Sequence, residues 1–482
     1  MSKSLKSDAV HGVFWSFVER FSLQGVQFLL GIVMARLLTP ADYGVIAMLA
    51  IFMSLSQVFI DGGFTTALVQ KQERTESDFS TVFYINLIVS LVCYGLLFLG
   101  APYIAAFYEQ PLLTAVTRVY ALNLVINSLV AVNKTKLIID LDFKTQSKIS
   151  LIAAVVSGLV GLCCAYMGLS VWSLVVQMLL NSMLNVALSF YFVRWMPKAG
   201  FSMASFHRLF SYGSKLLAAS IISSLYTNLY SLVIGKKFTS DKLGYYSRAD
   251  QFAQLTSGNI AAILSRVSFP LLSKIQDNDE RLVSVYSKYI QISAFIVFPI
   301  ILGLGGVAKP LILILLTEKW VFSAYLLQIL VFAYLWDCII LVNLNLLKVK
   351  GRTDLLLKLE IYKKAIALSI LFITLFFNLT VICFGLVAYS CIAFYMNTIY
   401  TRKLLNYGFL QQVKEIAPFL LLSLLTAFEA FLLSEFFASP WVSLSLSLVV
   451  CPVTYFVLCY LFRLMPMLYF IEVVKEKVLH RK

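Results

Sequence analysis

Charged residues are scarce in this sequence. Asp, Glu, Lys and Arg make up 13% of its 482 residues, about half of the ~25% that is usual in soluble domains. Hydrophobic residues make up 60%, and several apolar runs reach the ~20 residues that a helix needs to cross a bilayer. The scarcity of charge therefore excludes a water-soluble globular protein and indicates a chain that resides in a membrane.

Other absences narrow the function. The nucleotide-binding pattern GxxxxGK[ST] does not occur, which argues against ATP hydrolysis by this chain. The three histidines do not combine with the eight cysteines in any metal-ligand spacing, so we expect neither a metal nor another cofactor. We interpret the cysteines as small buried apolar residues. Because no connection between apolar runs is long enough for a soluble catalytic domain, the sequence predicts membrane machinery and not an enzyme.

The apolar runs predict an all-α integral membrane protein with about fourteen transmembrane helices. Lipid offers no hydrogen-bond partners, so a span must be a helix or part of a closed barrel. Runs such as LIVSLVCYGLLFLG are apolar on every face, whereas barrel strands alternate, and the barrel is therefore rejected. The predicted spans are residues 13–35, 43–60, 80–100, 112–132, 149–166, 170–193, 209–234, 250–270, 287–308, 322–347, 355–376, 379–400, 416–434 and 441–462.

The net charge is +15, and its meaning depends on where the basic residues lie in the sequence. No basic stripe interleaved with aromatic residues lies on a soluble domain, so no nucleic-acid partner is expected. With the N-terminus in the cytoplasm, 26 of the 39 basic residues fall in cytoplasmic segments, 7 fall outside and 6 fall within spans, as the positive-inside rule requires. We expect both termini in the cytoplasm, where the basic segment EVVKEKVLHRK lies on anionic membrane lipids.

Two segments of the chain resemble each other. ARLLTPADYGVIAML, from residue 35, aligns without a gap on GKKFTSDKLGYYSRA, from residue 235, which pairs Thr39 with Thr239 and Gly44 with Gly244. The first copy joins spans 1 and 2, and the second joins spans 7 and 8. Six spans separate the copies, so both point the same way. An even offset indicates a parallel repeat about an axis along the membrane normal, as in transporters built from two bundles.

Motifs that occur in a fixed order resemble a known family. They are ARLLTPADYGVIA, DGGFTTALVQ, APYIAAFY, GLSVWSLVVQ, LGYYSRADQ, SRVSFPLLSKIQ and KVKGRTD. Together they are similar to the polysaccharide exporter (Wzx-type flippase) family, a branch of the multidrug/oligosaccharidyl-lipid/polysaccharide superfamily. The resemblance runs from about Leu5 to Arg352, and beyond Arg352 only hydropathy continues it.

The resemblance implies a fold, a function and partners. The implied fold has two six-helix bundles in a V around a central cavity, here 1–200 and 201–404, with two extra helices and a basic tail in 405–482. The implied function is the flipping of undecaprenyl-diphosphate-linked oligosaccharide units across the bacterial inner membrane by alternating access, for O-antigen, capsule or exopolysaccharide assembly. The implied partners are the lipid-linked oligosaccharide, membrane lipids, a polysaccharide polymerase and chain-length proteins.

A polar stripe on span 1 is the first candidate site. A charge at the bilayer centre costs at least ~2.5–3.5 kcal/mol, so each one invites a functional interpretation. Glu19 and Arg20 lie well inside span 1, and Arg20, Gln24, Gln27 and Gly31 share one helix face. We predict that Arg20, Gln24 and Gln27 contact the substrate in a wet cavity, and that Glu19 serves coupling or gating. The alternative is that Glu19 and Arg20 pair with neighbouring helices and lock the bundle.

Three further basic residues are candidates for substrate contact. Arg266 borders a polar face of span 8, and with Arg20 it would grip a diphosphate bidentately. Snorkelling to the headgroups explains Arg266 equally well. Lys215 and Arg118 lie near span ends, where anchoring at the membrane interface is the favoured interpretation.

Two acidic residues are candidates for coupling or gating. Asp337 lies about fifteen residues into span 10, where it requires a basic partner, a cation or a proton. Asp61 ends span 2 before Gly62-Gly63, a setting that fits a turn as well as a gate. On span 11, Glu360 is followed three and four residues later by Lys363 and Lys364, a spacing that allows a local ion pair.

Three other functions remain open. A multidrug or cation antiporter of the same superfamily would favour an acidic, aromatic-lined cavity, whereas the candidate charges here are largely basic. A membrane polysaccharide polymerase or glycosyltransferase is suggested only by Asp140-Leu141-Asp142, which has the spacing of a metal-binding DxD but lies in a short connection. A channel has no need of a bundle repeat.

Overall fold

All regular secondary structure in the described residues is helical. The structure is a computed structural model that describes residues 22–479, except for the side chains at 212, 262–263, 265–267, 270, 353 and 473–479. No strand occurs in that range. The predicted all-α class is therefore confirmed.

The chain forms two compact units, Met1–Gly244 and Tyr245–Lys482. The described helices of the first unit are α1 (Ser22–Leu37), α2 (Pro40–Asp61), α3 (Phe64–Gln70), α4 (Glu76–Tyr108), α5 (Leu112–Tyr120), α6 (Leu122–Ile139), α7 (Phe143–Tyr166), α8 (Val171–Val193), α9 (Met203–Lys237) and the start of α10 (Ser240–Ser273). The second unit continues α10 and adds α11 (Asp279–Gly306), α12 (Ala308–Leu316), α13 (Val321–Tyr334), α14 (Asp337–Val349), α15 (Thr353–Thr374), α16 (Leu379–Leu405), α17 (Phe409–Phe436), α18 (Pro440–Leu461) and α19 (Met465–Leu479).

The predicted spans coincide with helices. Eleven helical stretches of the described residues are long and apolar enough to cross a membrane. The described part of predicted span 1, residues 22–35, and predicted spans 8 and 11 lie on α1, α10 and α15, which are helical but not among these eleven, so the number fourteen stays a prediction. Predicted spans 4 and 10 each lie within one candidate span, Leu112–Ile139 and Glu318–Val349. Each span is interrupted, which the prediction of a continuous helix did not include: α5 and α6 meet at Ala121, and α13 and α14 are separated by Leu335 and Trp336.

Helix α9 packs along α2 within the first unit. Ser54 Oγ lies 2.9 Å from Ser224 Oγ and accepts a hydrogen bond of 2.8 Å from Asn228 Nδ2, so polar groups on the two helices satisfy each other. Near the end of α2, a Cβ on Gly63 would lie only 2.5 Å from the Gly213 carbonyl oxygen. These contacts place α9, predicted to begin the C-terminal bundle, in the first unit. The predicted bundle boundaries at 200 and 404 stay a prediction.

Two helices of the first unit begin with the same cap. Thr39 precedes α2 and Thr75 precedes α4, and each is followed three residues later by an aspartate, Asp42 or Asp78. The aspartate N–H donates to the threonine hydroxyl at 3.4 or 3.3 Å, and the carboxylate accepts from the threonine N–H at 2.8 or 2.9 Å. This reciprocal capping box fixes the first residue of each helix.

The cysteine prediction is partly wrong. Four of the eight cysteines are buried, but Cys163 on α7 and Cys391 on α16 are exposed. Both lie in apolar runs, where lipid is the solvent and an exposed apolar side chain carries no penalty. Hydropathy alone cannot distinguish such a surface position from a core position.

Candidate functional site

The polar stripe predicted on span 1 is described only in part. Glu19 and Arg20 lie outside the described residues. On α1, Gln24 is half-buried and Gln27 is exposed, and a Cβ on Gly31 would meet nothing within 4 Å. This end of the stripe is therefore not packed tightly against another helix, and the roles of all four side chains stay predictions.

Arg266 and Lys215, two further residues predicted to contact the substrate, lie on different helices. Arg266 lies in α10, and its side chain is outside the described part of the structure. Lys215 is exposed on α9, two residues after Gly213, where α9 crosses the turn between α2 and α3. Their assignment to substrate stays a prediction.

Arg118 has a partner within the protein. Pro102, inside α4, has no N–H, which leaves the carbonyl of Phe98, four residues earlier, without its helical donor. Arg118 Nε donates to that carbonyl oxygen at 3.3 Å, and the guanidinium lies 4.6 Å from the centroid of the Phe98 ring. This contact gives the charge a partner within the protein, and both the assignment of Arg118 to substrate and its anchoring at the membrane interface stay predictions.

The second unit repeats this arrangement with a different donor. Pro299, inside α11, leaves the carbonyl of Phe295 without a helical donor. The hydroxyl of Tyr455, on α18, donates to that oxygen at 3.0 Å. Tyr455 is buried and its ring packs on Phe295, with centroids 5.7 Å apart. Helix α18 thus completes the hydrogen bonding of α11.

Asp61 ends α2 as predicted. Gln57 Nε2 lies 3.4 Å from Asp61 Oδ1, and Gly62 and Gly63 follow with φ of 48° and 74°. Only glycine adopts this left-handed backbone without strain, so the turn interpretation is confirmed. A gating role for Asp61 stays a prediction.

Asp337 lies at a break between two helices. Predicted to be inside a continuous span, it is instead the first residue of α14, directly after the break at Leu335 and Trp336. Ser257 Oγ, on α10, lies 3.0 Å from Asp337 Oδ2 and 3.2 Å from the carbonyl oxygen of Tyr334. A hydroxyl that donates to a main-chain carbonyl oxygen competes with the main-chain N–H that would bind this oxygen in a continuous helix. Hydropathy gives no sign of that contact.

A second carboxyl binds Tyr334, three residues before Asp337, and was not predicted from the sequence. Asp250, on α10, accepts a hydrogen bond of 2.6 Å from the hydroxyl of Tyr334. Because Asp250 is the first residue of predicted span 8, its position indicates a span boundary and not an intramembrane acid. The predicted ion pair on α15 is confirmed, since Lys363 Nζ lies 2.5 Å from Glu360 Oε1. Lys363 is buried.

An apolar groove lies in the second unit. It has a volume of about 520 Å³ and is formed chiefly by α11, α12, α17 and α18. Phe295, Pro299, Leu448 and Tyr455 contribute to its walls, and Thr256, next to Ser257 in the sequence, lines it too. The groove therefore extends from the last helices of the chain to α10.

The DxD spacing at residues 140–142, considered as a metal-binding motif, has a structural explanation. Asp142 is the N-cap of α7, and its Oδ1 accepts a hydrogen bond of 3.0 Å from the N–H of Thr145. Leu141, between the two aspartates, has a φ of 56°. The spacing of Asp140 and Asp142 therefore serves a turn and a helix cap.

Comparison with known sequences identifies relatives of this chain. The sequence pattern of the family described as polysaccharide biosynthesis protein matches residues 33–325. The lipopolysaccharide biosynthesis protein WzxC of Escherichia coli (strain K12) is 26% identical over 366 residues, 75% of this chain and 74% of WzxC. The teichuronic acid biosynthesis protein TuaB of Bacillus subtilis (strain 168) is 25% identical over 354 residues, 73% of each chain. The succinoglycan biosynthesis transport protein ExoT of Rhizobium meliloti (strain 1021) is 22% identical over 309 residues, 64% of this chain and 63% of ExoT.

Solved structures with the same fold are transporters. The lipid II flippase MurJ, in an inward closed conformation, matches with a TM-score of 0.74 at 14% identity, over 93% of this chain and 98% of that one. An inward-facing multidrug resistance transporter of the MATE family matches with a TM-score of 0.60 at 14% identity, over 79% and 94%. At these identities the likeness concerns the fold. It confirms the all-α membrane fold, while the arrangement of two bundles in a V around a cavity stays a prediction.

Proposed function

This chain belongs to the polysaccharide biosynthesis protein family, and from that premise we propose that it is a flippase for lipid-linked oligosaccharides. It moves undecaprenyl-diphosphate-linked units across the bacterial inner membrane for assembly of O-antigen, capsule or exopolysaccharide, and it catalyses no chemical reaction. One observation carries the proposal: relatives named for three surface polysaccharides align over most of the chain, while its fold matches that of a lipid II flippase over 93% of its length. A polymerase and chain-length proteins are proposed partners.

The substrate poses a solvation problem that the proposed site residues address. A diphosphate and several sugars must pass the hydrocarbon while the prenyl chain stays in an apolar environment. We assign the diphosphate to Arg20, with Arg266 as the second guanidinium, because two planar donors match phosphate oxygens bidentately. Gln24 and Gln27 supply neutral donors and acceptors for sugar hydroxyls. The apolar groove on α11 and α18 binds part of the prenyl chain in this proposal.

The Asp337 centre is the proposed coupling site. Acidic side chains at a break in a membrane helix are a common place for a coupling cation or proton. The Ser257 hydroxyl contacts both the Asp337 carboxylate and the Tyr334 carbonyl oxygen, while the Tyr334 hydroxyl donates to Asp250. Tyr334 and Ser257 thus connect the two acids. Occupation by a proton or a small cation would change the charge at the ends of two helices, α13 and α14, and so bias their arrangement.

A multidrug or cation antiporter is the second candidate. It is favoured by the fold match to a multidrug resistance transporter. The acids at Asp250 and Asp337 would suit a cationic substrate. The named relatives argue for a polysaccharide precursor instead.

Transport by the purified full-length chain in lipid vesicles tests the proposal. A radiolabelled undecaprenyl-diphosphate oligosaccharide is placed in one leaflet, and its arrival in the other is read with a membrane-impermeant glycosidase. We expect transfer at least tenfold faster than in protein-free vesicles, and loss of that excess in Arg20→Gln. Gly95→Ala, at a glycine with open space around it, is the matched control.

Two results would contradict the proposal. One is transfer at the protein-free rate with correctly folded protein. The other is movement of a cationic dye against a proton or sodium gradient with no movement of the lipid-linked sugar, which would identify the antiporter.

A further inference from the structure

The two copies of the repeated segment contact each other inside the first unit. A Cβ built on Gly44, in α2, would lie 1.8 Å from the carbonyl oxygen of Ser240, the first residue of α10. A Cβ built on Gly244 would lie 1.9 Å from the carbonyl oxygen of Pro40, the first residue of α2. The contact is reciprocal, because the glycine of each copy meets the helix start of the other. Reciprocity of this kind is the property of an interface between two-fold related elements.

Only glycine permits this approach. Ordinary contacts to a Cβ begin near 3.4 Å, so a methyl group at position 44 or 244 would require the two helix starts to part by about 1.5 Å. The opposing atoms are main-chain atoms, which cannot rotate away as a side chain can. Small residues that let helix backbones touch are a familiar means of close packing in membranes. The repeat therefore keeps a glycine in both of its copies because each copy needs it to contact the other.

The two sides of the crossing are held differently. The start of α2 is fixed by the capping box of Thr39 and Asp42, and the carboxylate of Asp42 also accepts a hydrogen bond from Ser170, between α7 and α8. The segment that leads into α10 is held through α9: Asn228 donates to Ser54 of α2 at 2.8 Å, and Lys236 pairs with Glu109 at 3.0 Å with both side chains exposed. Exposed ion pairs contribute little to stability. The described hydrogen bond and ion pair on this side lie in α9, and the crossing itself is a contact of glycine with main-chain atoms.

We propose that this glycine crossing is a seal at the outside face of the membrane, which must part to release the translocated head group. The inference rests on the proposed flippase function and on the predicted orientation, which places both connections outside. The contact at the crossing is between glycine and main-chain atoms, and van der Waals contacts of this kind are individually weak. A methyl group on either glycine holds the seal open.

Thiol labelling of the full-length chain in intact cells tests the seal. Ser240 is 6% exposed, so Ser240→Cys serves as a reporter that a membrane-impermeant maleimide reaches slowly while the seal is closed. The same chain without this cysteine gives the background from the native thiols. We expect Gly44→Ala to raise the labelling rate of the reporter thiol at least tenfold. Gly244→Ala should do the same, because the contact is reciprocal.

A matched control separates the seal from a general effect of alanine. Gly95 lies on α4 with nothing within 4 Å of a built Cβ, so Gly95→Ala should leave labelling within twofold of the parent. Unchanged labelling in both seal variants, or an equal rise in Gly95→Ala, would overturn the inference. So would failure of both seal variants to reach the membrane at parental levels, which would make the crossing a folding element. Because labelling is read without transport, a negative transport result would refute the proposed function and leave the seal standing.

Discussion

Replacing Tyr455 by phenylalanine removes one hydroxyl from the contact between α18 and α11. That hydroxyl donates to the Phe295 carbonyl at 3.0 Å, which has no helical donor because residue 299 is proline. The phenylalanine ring would keep the packing on Phe295. We therefore expect Tyr455→Phe to reduce the free energy of unfolding through the lost hydrogen bond alone.

The magnitude follows from where the carbonyl lies. An unsatisfied buried acceptor costs about 1–3 kcal/mol, while hydrogen bonds between membrane helices measure ~0.6 kcal/mol on average and up to ~1.7 kcal/mol. We expect a loss of about 1 kcal/mol. The second substitution, Pro299→Ala, restores an N–H that donates to the Phe295 carbonyl within α11. In that background Tyr455→Phe should cost about 0.3 kcal/mol or less, because the acceptor is already satisfied.

The assay is a double-mutant cycle. Unfolding of the purified chain is followed by circular dichroism during titration with sodium dodecyl sulfate in mixed micelles, for the parent, each single variant and the double variant. Tyr460→Phe is the matched control, since Tyr460 lies on the same helix and is 56% exposed. An equal cost of Tyr455→Phe in the parent and in the Pro299→Ala background would refute the reasoning, because the hydroxyl would then act on something other than the freed carbonyl.

Three further predictions concern other contacts. Arg118→Leu should lower the free energy of unfolding by about 0.5–1 kcal/mol in the same titration, as for an exposed hydrogen bond between membrane helices, and by much less beside Pro102→Ala; equal losses would contradict the contact with Phe98. Asp337→Asn should abolish the dependence of vesicle transport on a proton or sodium gradient while some downhill transfer remains; unchanged gradient dependence would exclude Asp337 from coupling. Gly63→Ala should destabilise the chain by about 1–3 kcal/mol through its positive φ and its contact with Gly213, whereas Gly95→Ala should not; equal stabilities would contradict the crossing.

Much of the architecture could be predicted before any coordinates. The apolar runs located the described helices, since a bilayer requires about 20 apolar residues in a self-bonded backbone. The T-x-x-D pattern before α2 and before α4 marks a capping box, and the Gly62-Gly63 pair marks the end of α2. These features depend on a few neighbouring residues. They can therefore be predicted from the sequence.

The candidate sites were less predictable. Pro102 indicates that the Phe98 carbonyl needs a donor, but nothing in the sequence says that Arg118 supplies it. Asp337 could be singled out as an intramembrane acid, whereas Asp250 lay at the edge of a predicted span and its partner Tyr334 gave no signal. Which polar groups pair across helices depends on the register and rotation of each helix. Hydropathy leaves both undetermined.

The repeated segment shows both what the sequence determines and what depends on the tertiary structure. By itself, the sequence determined that the chain lies in a membrane, that its regular structure is helical, and that positions 44 and 244 carry the same glycine in two copies of one motif, because these are properties of composition and spacing. Only the tertiary structure decided that the two copies meet each other, glycine against helix start. The distance between segments about 200 residues apart is set by the packing of the helices that lie between them.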